Sequence, residues 1–188
     1  MKLLYSSTRG LLVAAIVALT AVSCSEDKMD EINNDKNHPT DVSAKYILAD
    51  VITRTAVSNA GGDINTYTAA YVEHECGTHN QLFRAEHRNG EPSAASTFNN
   101  VWGNIYTTLK NAKIVIAKCS EGGSEAGNNV TKGIAEVLAA YNLALLTDMF
   151  GDVPWTEACD INVSLTPSID KQEAIYAVIM GYIDQAII

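Results

Sequence analysis

The stretch that most restricts the fold is YNLALLTDMFGDVPWTEA, residues 141–158. Tyr141, Leu145 and Met149 continue the spacing of Ile134, Val137 and Leu138, which predicts one apolar helical stripe about five turns long. Gly151 stands where a helix takes a left-handed C-terminal residue, and Pro154 forbids a restart. Asp152, between them, is placed to close the turn on backbone amides. Trp155 follows at once and is expected to staple the turn to the helices.

The remaining chain follows the same logic. A first helix is predicted over 41–58, capped by Asp41 or Ser43, with Ile47, Leu48, Val51, Ile52 and Thr55 on one side. Asn59-Ala60-Gly61-Gly62 ends it. A second helix over 63–75 turns Ile64, Tyr67 and Tyr71 inward. Residues 76–93 lack a clean period, hold Gly77, Gly90 and Pro92, and read as a long loop. A third helix over 94–119 carries Val101, Trp102, Ile105, Leu109, Ala112, Ile116 and Cys119 on its stripe. Residues 121–127 read as a flexible link.

The fourth helix is the one that stops at Gly151. Its Ala135, Ala139, Ala140 and Ala144 would let neighbouring helices approach closely. Residues 151–169 are irregular, and Asp170 is expected to open a fifth helix, with Glu173 completing a capping box. Ile175, Ile179, Ile183 and Ile187 still repeat at residue 187, so the chain reads as part of a longer one. No stretch alternates for long enough to predict a strand. The class is all-α.

The N-terminus belongs to a different regime. Lys2 and Arg9 precede an apolar run from Leu11 to Val22, broken only by Thr20 and shorter than the ~20 residues of a spanning helix. Ala21-Val22-Ser23-Cys24 is close to the pattern that places a lipid on the cysteine, departing at Ala21, where Leu is commoner. Residues 1–23 are therefore read as a lipoprotein signal peptide. Residues 24–40 are a lipidated N-terminus at Cys24 with a polar tether, and 41–188 form the helical body. Without the leader, 11 basic residues face 22 acidic ones, a net −11. That excludes the basic footprint nucleic acid needs.

The search for catalytic groups returns little. His74 and His79 are five apart, about 140° around a helix, where a zinc helix needs four. No nucleophile elbow or phosphate-binding glycine loop occurs. No metal, cofactor or catalytic residue is expected. Cys76, Cys119 and Cys159 remain after Cys24. A single disulfide is open to them, but buried free thiols are favoured because Cys119 lies on an apolar stripe.

FGDVPW followed by Thr156-Glu157-Ala158 resembles the signature of the SusD/RagB family of surface glycan- and peptide-capture lipoproteins. Three further stretches resemble that family in the same order: the leader ending at Cys24, WGNIYTTLKNAKIVI at 102–116, and PSIDKQEAIYAVIMGYIDQAI at 167–187. The resemblance covers the N-terminal part of the family's usual length. It implies a superhelix of antiparallel helix pairs, similar to tetratricopeptide (TPR) repeats, with long loops. It also implies an outer-membrane, surface-facing protein that binds a glycan or a peptide. Its partner would be a SusC-like TonB-dependent transporter. Ser25-Glu26-Asp27 resembles the family's surface-export signal.

A sugar site needs an aromatic face with polar groups around it. The expected ligand-binding residues are His79, Asn80, Gln81, Arg84 and Trp102, although the helical stripe favours core packing over ligand stacking for Trp102. Phe150, Gly151, Asp152, Pro154 and Trp155 form the structural signature. The competing function is a TPR-type scaffold that grips a protein partner and captures no nutrient.

Overall fold

The computed structural model describes residues 41–89 and 98–187. The leader, Cys24 and the tether lie outside the described residues. The described chain is helical, and its one extended contact is an isolated antiparallel bridge between Val153 and Asp170.

Helix α1 spans Ala44–Arg54. Ser43 stands at its N-cap position but makes no side-chain capping bond. Instead the Ala44 amide donates to Glu125 Oε1 at 2.7 Å, which recruits an acceptor 81 residues away. The supposedly flexible link 121–127 therefore has a fixed job. It is also bonded internally, with the Glu125 amide donating to Lys118 O at 2.8 Å. Gly123 is needed there, since a Cβ would sit 2.3 Å from Ala117 O.

Beyond Arg54 the helix widens into a π-helical turn, Thr55–Ala60. Widening by one residue brings both Thr55 and Asn59 to the interior. Asn59 Nδ2 donates to Thr108 Oγ1 at 3.0 Å and to Asn142 Oδ1 at 2.6 Å. Asn142 Nδ2 donates in turn to Thr55 Oγ1 at 2.8 Å. These buried amides have few alternative partners, so they fix the register of three elements.

Helix α2 spans Asp63–Tyr71 and buries Ile64, Tyr67 and Ala70. The stretch expected to be a long loop contains a short helix, α3, Asn80–Glu86, which buries Ala85 and, among the described helices, packs on α2, with Phe98 against the same small cluster. One buried alanine in seven residues leaves no period to read in the sequence.

Helices α4, Asn99–Cys119, and α5, Asn129–Phe150, form the centre with α1, and α6, Gln172–Ala186, closes on α5. The pairs run antiparallel. Asp50 meets Asn111 across α1 and α4, and Thr147 meets Gln172 across α5 and α6. This is the all-α arrangement of antiparallel helix pairs that the sequence predicts.

The buried face of α5 is only in part the predicted one. Tyr141, Val137 and Ile134 are 46%, 50% and 42% exposed. Inside lie Ala135, Ala139, Ala140, Leu143 and Leu146, with Asn142, Thr147 and Glu136 among them. α5 is gripped by α1 and α4 on one side and by α6 on another, and small side chains let three helices meet it closely. Of the predicted stripe, Ile134, Val137 and Tyr141 are left outside, while Leu138, Leu145 and Met149 pack half-buried against the core. Similarly, Trp102 on α4 and Ile52 on α1 leave the predicted interior, while Thr108 and Val115 enter it. On α6, Ile175 and Ile179 are buried, but Ile183 and Ile187 face out.

Candidate functional site

α5 ends as expected at Gly151, whose φ of 76° and ψ of −128° suit glycine and few other residues. Thr147 Oγ1 donates to Gly151 O at 2.7 Å and closes the turn. Asp152 does not close it. Its carboxylate reaches forward, accepting the Gln172 amide at 3.0 Å and the Lys171 ammonium at 2.6 Å. Asp152 thus caps α6 from outside, in the role expected of Asp170.

Asp170 lies before the helix and holds the corner. Its Oδ2 accepts the amides of Trp155 at 2.8 Å and Thr156 at 2.7 Å, and its Oδ1 accepts the Thr156 hydroxyl at 3.0 Å. Burial alone would raise its pKa. The amide and hydroxyl donors, with Lys113 nearby, outweigh burial and hold the carboxyl below its usual range.

The corner lies on one face of α4. Trp102, Tyr106 and Lys110 follow each other at four-residue spacing, with Thr107 alongside. The Tyr106 hydroxyl donates to Pro154 O at 2.6 Å. Lys113, one turn on, donates to Ala158 O at 2.8 Å and Trp155 O at 3.3 Å, and its ammonium stands 4.1 Å from the Trp155 ring centroid. Trp155 itself is 4% exposed and meets Tyr182 edge-on at 6.2 Å. The indole fills the space between α4 and α6.

Between α4 and residues 154–167 opens a cavity of about 380 Å³, with Trp102, Tyr106 and Lys110 on one wall and Pro154, Cys159 and Pro167 on the other. That is near the lower end of small-molecule sites, about 300–1,000 Å³. Trp102 is 39% exposed, propped by the edge of Phe150 at 5.2 Å and by Tyr106 at 5.0 Å. Burial raises the Tyr106 hydroxyl far above its usual pKa, helped by Cys159 and Asp170. Burial also raises the Cys159 thiol, against the opposing pull of Lys113 and Lys110. Its Sγ donates weakly to Tyr106 O at 3.8 Å.

The other expected residues collect elsewhere. His79 precedes α3, and Asn80, Gln81 and Arg84 lie on it, all four exposed. The Tyr67 hydroxyl donates to Gln81 Oε1. Phe83 and His87 stack at 4.0 Å on the same small helix. α3 makes no packing contact with α4, so these four residues do not join Trp102 in one pocket. Glu73, Asn80 and Arg88 all have positive φ, at 62°, 50° or values between. Among the described residues the cysteines Cys76, Cys119 and Cys159 are free thiols, exposed, buried and half-buried respectively.

Sequence reasoning missed Tyr106, Thr107, Lys110, Cys159 and Pro167 as pocket residues. The four-residue spacing of Trp102, Tyr106 and Lys110 was the available signal. Nothing in the sequence said that residues 154–167 would fold back opposite it.

Three comparisons with known proteins bear on this geometry. The SusD-like_2 family model, described as starch-binding associating with outer membrane, matches residues 36–188. A solved SusD/RagB family protein from Bacteroides thetaiotaomicron is 55% identical, superposes with a TM-score of 0.72, and aligns over 78% of this chain. The chain spans 30% of the length of that structure. No curated protein matches.

Proposed function

The chain belongs to the SusD/RagB family, and from that premise we propose that it is a non-catalytic receptor that binds a glycan at the cell surface. Acylated at Cys24 and anchored in the outer membrane, it passes the ligand to a SusC-like TonB-dependent transporter. The observation that carries this reading is the open cavity on α4. There a partly exposed indole, braced from two sides, lies under a corner fixed by Asp170 and Lys113. A tryptophan held with one part uncovered offers a flat apolar surface to the C–H side of a pyranose ring. The mature charge of −11 suits a solvated surface protein.

The test combines location with partnership. Detergent extracts of the native membrane should yield the protein together with a large β-barrel, and Cys24→Ser should release it from the membrane. Retention of the Cys24→Ser protein would remove the lipid anchor from this reading, and absence of a barrel would remove the transporter. Peptide in place of glycan is the variant of the same reading that an array of both ligands decides.

A scaffold that grips a protein draws on a different observation. Val130, Ile134, Val137 and Tyr141 on α5, with Met180 and Ile183 on α6, expose apolar side chains. Capture of a soluble protein partner through this face, with no ligand on either array, would favour it.

A further inference from the structure

The cavity on α4 differs from a general sugar site in the kind of hydrogen-bonding group it has left to offer. Recognition of a neutral sugar needs acceptors as well as donors, because each hydroxyl donates once. Here the backbone carbonyls at the wall each already take one protein donor. Pro154 O takes the Tyr106 hydroxyl, Ala158 O takes Lys113, and Tyr106 O takes the Cys159 thiol. Among the described residues no Asp, Glu, Asn or Gln lines the cavity. The Thr107 hydroxyl donates to Gly103 O at 2.8 Å and is left as a single side-chain acceptor at the wall.

The donors are unspent. Lys110 is exposed at the cavity wall and has no hydrogen-bond or ion-pair partner among the described residues, whereas Lys113 on the same helix is committed to two carbonyls. The Trp102 indole N–H likewise has no partner among the described residues. In a chain of net charge −9, a lone ammonium beside an uncovered indole is a local inversion of the surface charge. A ligand group that only accepts and carries negative charge satisfies both donors.

We propose, resting on the glycan reading above, that this cavity takes an anionic sugar residue. Its C–H face lies on Trp102 and its carboxylate or sulfate pairs with Lys110. A uronate and a sulfate ester share that chemistry and are separated by experiment. The cavity volume restricts recognition to one or two sugar rings, the rest of the chain lying outside.

Titration calorimetry on the full-length protein tests this with four probes: tetragalacturonate, a sulfated galactan tetrasaccharide, maltotetraose and tetraglutamate. One of the two anionic sugars is expected to bind on the order of tenfold more tightly than maltotetraose. Which one does so identifies the anion. That margin should shrink as sodium chloride rises and should vanish in Lys110→Gln. Lys110 is exposed, so its replacement should leave the melting temperature in place, which a thermal scan checks.

Equal binding of maltotetraose, or a margin that survives Lys110→Gln, overturns the anionic assignment while leaving the glycan receptor standing. Lys110-dependent binding of tetraglutamate alone overturns the saccharide and transfers the site to acidic peptides. Binding of none of the four overturns the assignment, and the membrane co-purification then decides the receptor reading separately.

Discussion

Residues 150–158 and residues 72–89, which include the short α3, each follow a longer helix, yet they are held in opposite ways. The corner after α5 is tied by partners far away in sequence: Asp170 to the amide of Trp155, 15 residues apart, Tyr106 to Pro154, 48 apart, and Lys113 to Ala158, 45 apart. The segment after α2 is tied mainly to itself. Gly77 bonds Glu86, nine residues on, and Arg88 bonds Glu73, fifteen back, on the surface. Among the described helices α3 rests on α2. The corner is thus part of the core, while the segment is an appendage with strained residues at Glu73, Asn80 and Arg88. A binding surface that must keep its shape belongs on the first, and one that adapts belongs on the second.

The sharpest way to break that contrast is Trp155→Ala. Removing a 4%-exposed indole from between α4 and α6 should cost about 3–5 kcal/mol, read as a fall in urea midpoint. A loss under about 1 kcal/mol would mean the corner is not core. Asp170→Asn comes next. It keeps the shape but weakens three bonds accepted by a charged group, and a loss of about 1–3 kcal/mol is expected.

Asp170 also predicts a pH dependence. Its folded pKa is depressed, so its contribution is complete above the unfolded value of about 4. The contribution is lost as pH falls through the lower folded value. Melting temperature should therefore drop below pH 4, less steeply in Asp170→Asn. Gly151→Ala should cost about 1–2 kcal/mol through backbone strain alone, since a Cβ there meets nothing within 4 Å. Phe83→Ala, in the appendage, should change stability by less than about 0.5 kcal/mol despite breaking its stack on His87. A large effect there would place α3 in the core after all.

Legibility divides along the same line. The FGDVPW stop could be read locally because glycine and proline impose backbone conformations whatever surrounds them. The partners of Asp152 and Asp170 could not. Asp170 precedes α6 with Glu173 three residues on, which is the local pattern of a cap, yet the helix is capped by a residue 20 positions earlier. On α4, Trp102 and Val101 are neighbours in sequence and both apolar, and only the position of residues 154–167 decides which one helps line a cavity. Asn142 reads as an interruption in an apolar helix until Asn59 and Thr55 arrive from the π-helical turn.

The sequence by itself determined where the long helices run, though not the short α3, where α5 must stop, and that the body is all-α, because periodicity and backbone restriction act within a few residues. Tertiary structure decided which face of each helix is interior. A central helix with neighbours on several sides buries alanines and polar residues in close contacts and leaves larger side chains out. It also decided that a cavity with a free ammonium opens beside Trp102, because Lys110 meets the 154–167 segment only once that segment folds against α4.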